Sequence, residues 1–194
     1  MKIIAGVDEA GRGSLAGPVV ASAVILPEKY DLEGLNDSKK VSPVNRAVLF
    51  DKITTQAVSV GVGIVSSQEI DKINILEATY KAMKMSLGKL KPKPDEALID
   101  GFPLPTQIIP NRGIIRGDEK IDVIKAASII AKVERDHFMI RLSKKYPEYF
   151  WNENFGYGTA KHLHALKKYG VTCHHRKKFK PVHKMLMSAS HETQ

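Results

Sequence analysis

Apolar positions along the chain fall into short β-branched runs separated by stretches of helical spacing. Ile3, Ile4, Ala5 and Val7 form one run, and Val19 to Leu26 another. Short apolar runs bounded by glycine predict strands buried on both faces, here at about 3–9 and 19–26. Val58, Val60, Val62 and Ile64 alternate with small residues between Ala57 and Val65, the pattern of a third strand. Between them, Ser42-Pro43 reads as an N-cap followed by proline at the first helical position. The helix it opens runs to about Thr55 and turns Ala47, Val48, Leu49 and Ile53 inward.

Ser66, with Glu69 three residues later, forms a capping box. Helical spacing continues to about Leu87, with a break near Ile73-Asn74 and a stop at Gly88. Lys89 to Pro94 is a stiff connector. A short strand follows at Ala97-Leu98-Ile99, and an edge strand is expected at 107–109. A long helix spans about Ile121 to Lys145, where residues 126–131 are small enough for close packing on a sheet. His162 to Tyr169 is helical and stopped by Gly170, and Pro181 begins a last short helix. No internal repeat appears, and strands interspersed with helices predict an α/β or mixed layer fold.

At 194 residues the chain fits one domain, 1–194, able to bury roughly 70% of its unfolded surface. The single cysteine, Cys173, excludes an internal disulfide and suits a reducing cytoplasm. No signal peptide is visible, and no apolar run nears the roughly 18 residues of a membrane span. A cytoplasmic protein is expected, and nothing demands more than a monomer. Net charge is +9, unevenly spread: between Asn154 and His191 there is no acid. That basic segment, about 154–190, carries Lys161, Lys167, Lys168, Arg176, Lys177, Lys178, Lys180 and Lys184. A one-signed face interleaved with Tyr157, Tyr169 and Phe179 suits a nucleic-acid backbone.

Acids supply the candidate chemistry. Asp8 and Glu9 end the first strand and run into Gly11-Arg12-Gly13; Asp100 ends a later strand before Gly101; Asp118 follows Gly117. If these strands are neighbours, the acids converge on one rim. Two unit charges 4 Å apart repel by about 4 kcal/mol at an effective dielectric near 20, so four imply divalent cations. All-oxygen ligands select Mg²⁺ or Mn²⁺ over zinc, and two such ions suit phosphodiester hydrolysis. Neighbouring strand residues point to opposite faces, so Glu9 joins Asp8 only through a bend or indirectly. A dinucleotide fingerprint at 11–16 fails because Gly17-Pro18 and a β-branched run replace the required helix. The histidines lack paired metal spacing and are expected on the basic face or at helix caps.

With these residues in place, the chain closely resembles the bacterial ribonuclease HII family. The resemblance runs through residues 6–13 (Gly-Val-Asp-Glu-Ala-Gly-Arg-Gly), 35–40 (Leu-Asn-Asp-Ser-Lys-Lys), 98–101, 117–118, 126–136, 156–159 (Gly-Tyr-Gly-Thr) and 174–176 (His-His-Arg). It implies a ribonuclease H-like fold: a mixed central sheet flanked by helices, with a helical C-terminal part. It implies hydrolysis of RNA in RNA–DNA hybrids, and incision 5′ of single ribonucleotides in duplex DNA, leaving 3′-hydroxyl and 5′-phosphate ends. By the same resemblance Asp8, Glu9, Asp100 and Asp118 bind two divalent ions, Mn²⁺ or Mg²⁺. Gly11, Arg12 and Gly13 surround the ribose 2′-hydroxyl, Tyr157 stacks at the DNA–RNA junction, and Ser38 and Lys39 contact phosphate. The sibling type 3 enzymes carry an added N-terminal domain, for which Asp8 leaves no room.

Overall fold

The computed structural model describes residues 2–106 and 109–191. Five strands form one mixed sheet: β1 (Ile4–Ala10), β2 (Val19–Ile25), β3 (Ser59–Val65), β4 (Glu96–Asp100) and β5 (Asn111–Ile114). The spatial order is β3-β2-β1-β4-β5. β1–β2 and β2–β3 pair antiparallel, while β1–β4 and β4–β5 run parallel. The helices are α1 (Pro43–Gln56), α2 (Ser67–Ile73), α3 (Ile75–Gly88), α4 (Gly117–Lys120), α5 (Asp122–Ser143), α6 (Trp151–Asn154), α7 (Ala160–Tyr169) and α8 (Lys180–His191). None of the described helices is long and apolar enough to cross a membrane.

The sheet is covered on both faces, as its continuous apolar strands require. Val7, Val19, Ala21, Ile99 and their neighbours pack under α3, against Ala78, Ala82 and Met83. On the other face Val24 packs with Leu49 and Ile53 of α1 and with Ala126, Ala127, Ile129 and Ile130 of α5. Glycine sets the spacing of this second layer: a Cβ at Gly6 would stand 2.3 Å from the Val123 carbonyl carbon. A third apolar cluster, around Trp151, Tyr149, Met139 and Leu166, joins the end of α5 to α6, α7 and α8.

The predicted strands, caps and helix break match within a residue or two. Ser42 Oγ accepts from Asn45 N, and Ser66 Oγ from Glu69 N. Asn74, at φ 72°, separates α2 from α3 and caps the latter by accepting from Leu76 N and Glu77 N. Two expectations differ. Ala47 and Val48 face solvent, because α1 reaches the core through Leu49 and Ile53, with Phe50 packed at its edge. The strand expected at 107–109 falls partly outside the described residues, and Ile109 is a bend, with β5 starting at Asn111. Asp118 sits in the separate turn α4 ahead of the long helix.

Candidate active site

Parallel pairing carries the acids to one rim. β1 and β4 stay in register to Val7–Ile99, so the next residues, Asp8 and Asp100, lie side by side where that pairing stops and β4 ends, while β1 runs on to Ala10 against β2. Arg116, in a left-handed conformation, turns the chain after β5 into α4 and brings Asp118 back over them. Asp100 Oδ1 accepts from Gly117 N (2.8 Å) and Asp118 N (3.4 Å), which fixes α4 against β4. Asp8, Asp100 and Asp118 each place one carboxylate oxygen within 4.8 Å of the others.

Glu9 is not in this trio. Strand alternation turns it to the α3 side, into a neighbouring cleft with Thr79, Tyr80, Met83, Asp100 and Phe102. There Glu9 Oε1 accepts from Arg12 Nη1 at 3.4 Å. The rim is therefore three converging carboxylates, with Glu9 bordering both this neighbouring cleft and the cleft that holds Asp8.

Electrostatics fits a cation site. Burial, with the charges of Glu9 and Asp100, holds Asp8 well above the usual carboxylate range, while Ser128 and the Glu9 N–H pull the other way. Asp118 is raised by burial, Asp100 and Asp37, and lowered by Lys39. Glu9 is raised by burial, against the counter-pull of Arg12. Three crowded hard oxygen donors are the set that Mg²⁺ or Mn²⁺ takes, and Asp8, Asp100 and Asp118 would hold it. Lys39 is the cation nearest Asp118, its Nζ 3.7 Å from Oδ2. Burial lowers the affinity of Lys39 for its proton, but Asp37, Asp118, Asp8 and Asp100 together leave it raised.

A cleft of about 460 Å³ opens beside the acids, lined by Asp8, Glu9, Arg12, Gly13, Lys132 and Tyr157 among others. Gly11, Ser38 and Lys39 complete its wall, so every residue expected at the site except Asp100 and Asp118 borders this one cleft. Ser38 is buried, and Ser128 of α5 donates to its hydroxyl at 2.9 Å. That contact makes Ser38 part of the wall behind Asp8, while the Lys39 side chain is 80% exposed at the cleft mouth, beside Asp118.

Several residues that hold the cleft carried no expected role. Arg135 and Arg176 are fully buried, and both bond neutral oxygens. Arg135 donates to Pro18 O, Phe155 O, Ala16 O and Ser14 Oγ, and its guanidinium lies 5.3 Å from the Tyr157 ring centroid. Arg176 donates to Gly11 O, Arg12 O and Gly17 O. Burial lowers the pKa of both, and Arg135 beside it takes Arg176 down to about 9. Arg176 thus belongs to the interior and not to the basic face. Two histidines expected at the surface are also interior. Trp151 Nε1 donates to His162 Nε2, so His162 Nδ1 carries the proton that it shares with Tyr157 O at 2.9 Å. His175 abuts His162 through their Nε2 atoms at 3.2 Å. The motifs at 126–136 and 174–176 contained these residues, but nothing local in a sequence tells a buried arginine from a surface one.

Comparison with known proteins agrees with this architecture. The family model described as Ribonuclease HII matches residues 5–184. A Ribonuclease HII from Geobacillus sp. (strain WCH70) is 52% identical over 186 residues, 96% of this chain and 67% of the relative. One from Acetivibrio thermocellus is 54% identical over 178 residues, 92% of this chain and 70% of the relative. The ribonuclease H2 structure from Pyrococcus horikoshii OT3 superposes with a TM-score of 0.80 at 28% identity, covering 96% of this chain and 98% of that one. With the ribonuclease H-like sheet, the acidic rim and these relatives together, the chain belongs to the ribonuclease HII family of endonucleases.

Proposed function

We propose that this chain, as one catalytic domain acting as a monomer, cleaves the RNA strand of RNA–DNA hybrids and also incises duplex DNA 5′ of a single embedded ribonucleotide. The observation that carries this is the junction of two features: three convergent carboxylates, and a cleft whose wall is the 11–13 turn and Tyr157. A ribose differs from a deoxyribose by its 2′-hydroxyl, and a glycine turn lets backbone groups come close enough to detect one oxygen. Tyr157, 37% exposed and backed by Arg135, offers a face on which the next sugar stacks. All of these groups come from one chain, which suits a monomer.

The acids Asp8, Asp100 and Asp118, with Glu9 from the adjoining cleft, hold two divalent ions. Such ions supply an activated water and stabilise the leaving 3′-oxygen, giving 3′-hydroxyl and 5′-phosphate products. Lys39 and Lys132 line the approach and attract the phosphodiester; the Lys132 ammonium is steadied by Asp136 at 2.7 Å. Arg12 holds Glu9 in place from the rim.

The test uses an end-labelled DNA duplex with one ribonucleotide, incubated with Mg²⁺, with Mn²⁺ and with chelator. One metal-dependent cut on the 5′ side of the ribonucleotide is expected, and none in chelator. Cutting of continuous hybrids alone would remove the junction role of Tyr157 and leave a hybrid-specific nuclease. Salt-sensitive binding with no cut under either ion would leave only a nucleic-acid binder.

A further inference from the structure

We propose that Arg176 is the positioning residue for ribose recognition: by capturing two successive carbonyls it turns the N–H groups of Arg12 and Gly13 outward, as a paired donor for the 2′-oxygen. This role rests on the ribose reading of the 11–13 turn given above.

The geometry is direct. Arg176 Nη2 donates to Gly11 O and Nη1 to Arg12 O, each at 2.7 Å, while Nε reaches Gly17 O at 3.1 Å. The Ser14 hydroxyl adds a second bond to Gly11 O at 2.9 Å. Both carbonyls therefore point into the protein. The peptide bonds that follow them are trans, Lys91-Pro92 being the one cis bond among the described residues. In a planar trans peptide the C=O and N–H point in opposite directions. Carbonyls 11 and 12 facing inward require the N–H groups of residues 12 and 13 to face outward, and outward here is the cleft. Among the described residues, neither N–H has a hydrogen-bond partner.

Gly13 adds a second sign that this surface is kept for a ligand. A Cβ built on it meets nothing within 4 Å, so the protein's own packing does not call for glycine there. A side chain at that position would stand in front of the two donors. At Gly11 the reason is internal: φ is +90° and a Cβ would fall 1.9 Å from Arg135 Nε. One glycine makes room for the buried guanidinium layer, and the other leaves the outer surface bare.

Arginine is needed for its shape. Its planar fork spans adjacent carbonyls, whereas a lysine ammonium is a point charge on a flexible stem. Arg176→Lys keeps the charge and loses the fork. Binding is measured in a cleavage-dead Asp118→Asn background, to a duplex with one ribonucleotide and to the same duplex in all-DNA form. The expected result is that Arg176→Lys lowers the preference for the ribonucleotide duplex at least tenfold, while all-DNA affinity changes less than twofold. Preference retained in Arg176→Lys would overturn the role of Arg176 and leave the ribose reading intact. No preference in the Asp118→Asn parent would overturn both. A second measurement, on the wild-type protein in chelator, decides the matter if Arg176→Lys does not fold. The amide resonances of Arg12 and Gly13 should shift on adding the ribonucleotide duplex and stay in place with all-DNA duplex. Equal shifts with both duplexes, or none with either, would overturn the proposal.

Discussion

Asp8 shows how a single residue trades stability for function. Its carboxyl is held well above its ordinary pKa by burial and by two neighbouring acids. The folded protein therefore favours the protonated form, and ionisation at neutral pH works against folding. Asp8→Asn should raise the melting temperature in chelator by about 2–4 °C for each kcal/mol relieved, and should abolish cleavage while sparing hybrid binding. Saturating Mn²⁺ should then raise the melting temperature of the wild type and not that of Asp8→Asn. Calorimetry with and without chelator checks both, and a lower melting temperature for Asp8→Asn would contradict this account. Tyr157→Ala should weaken incision at an isolated ribonucleotide more than cleavage of a continuous hybrid; equal losses in kcat/KM on both would remove the junction role. At this scale most of the chemistry was readable in advance, because acids at strand ends beside glycine are costly unless used. Arg135, Arg176 and His162 were not, since most partners of the two arginines lie more than a hundred residues away and that of His162 is a ring on another helix.

Among the elements, β1 and α5 make the contact on which the site depends. β1 carries Asp8; α5 carries Ser128, Lys132 and Arg135, which stand behind Asp8, on the cleft wall and under Tyr157. Their approach is set at Gly6, where a Cβ would meet the backbone of Val123 and Ile124 at 2.3–2.6 Å. Backbone cannot swing aside as a side-chain tip can. Gly6→Ala should therefore lift the start of α5, lower stability by about 1–3 kcal/mol in urea unfolding, and reduce cleavage with it. An unchanged urea midpoint would mean that the two elements are less tightly seated than their spacing indicates. Strand positions were legible because apolar runs and caps are local signals. The α1 face is less legible, since Ala47 and Val48 look like core residues until Leu49 and Ile53 are seen to be the ones packed with Val24 and α5. Glu9 is the opposite case: the alternation rule alone sets it on the other face from Asp8, and its carboxylate borders clefts on both sides of the strand end.

Across the whole molecule, the third apolar cluster ties the C-terminal helices to the sheet and encloses a neutral histidine pair. Burial, then the nearness of His162 and His174, takes His175 down to about 3. A histidine that resists protonation when folded but accepts it near pH 6.5 when unfolded costs stability as pH falls. The His175 contribution to the melting temperature should be flat above about pH 6.5 and decline from there towards pH 3, against the opposite slope of the raised acids Asp8, Glu9 and Asp118. His175→Asn should begin lower and decline less steeply between pH 7 and 5; parallel slopes would show that His175 does not govern the acid limb. The charge asymmetry was visible at this scale, but it was overcounted, because Arg176 serves the interior and seven of the eight named cations remain for the outer face.

The tie between Arg176 and the 11–13 turn also orders events in time. Sheet and acids are complete once residue 118 is in place, yet the carbonyls of Gly11 and Arg12 meet the Arg176 guanidinium only when residue 176 arrives. Leu15 N and Ala16 N likewise wait for Gly156 O, and Gly17 N for His174 O. During synthesis, the acids can assemble long before the 11–13 turn gains these partners. A chain stopped near residue 150 would hold the three acids but none of the partners that Gly156, His174 and Arg176 give to residues 11–17.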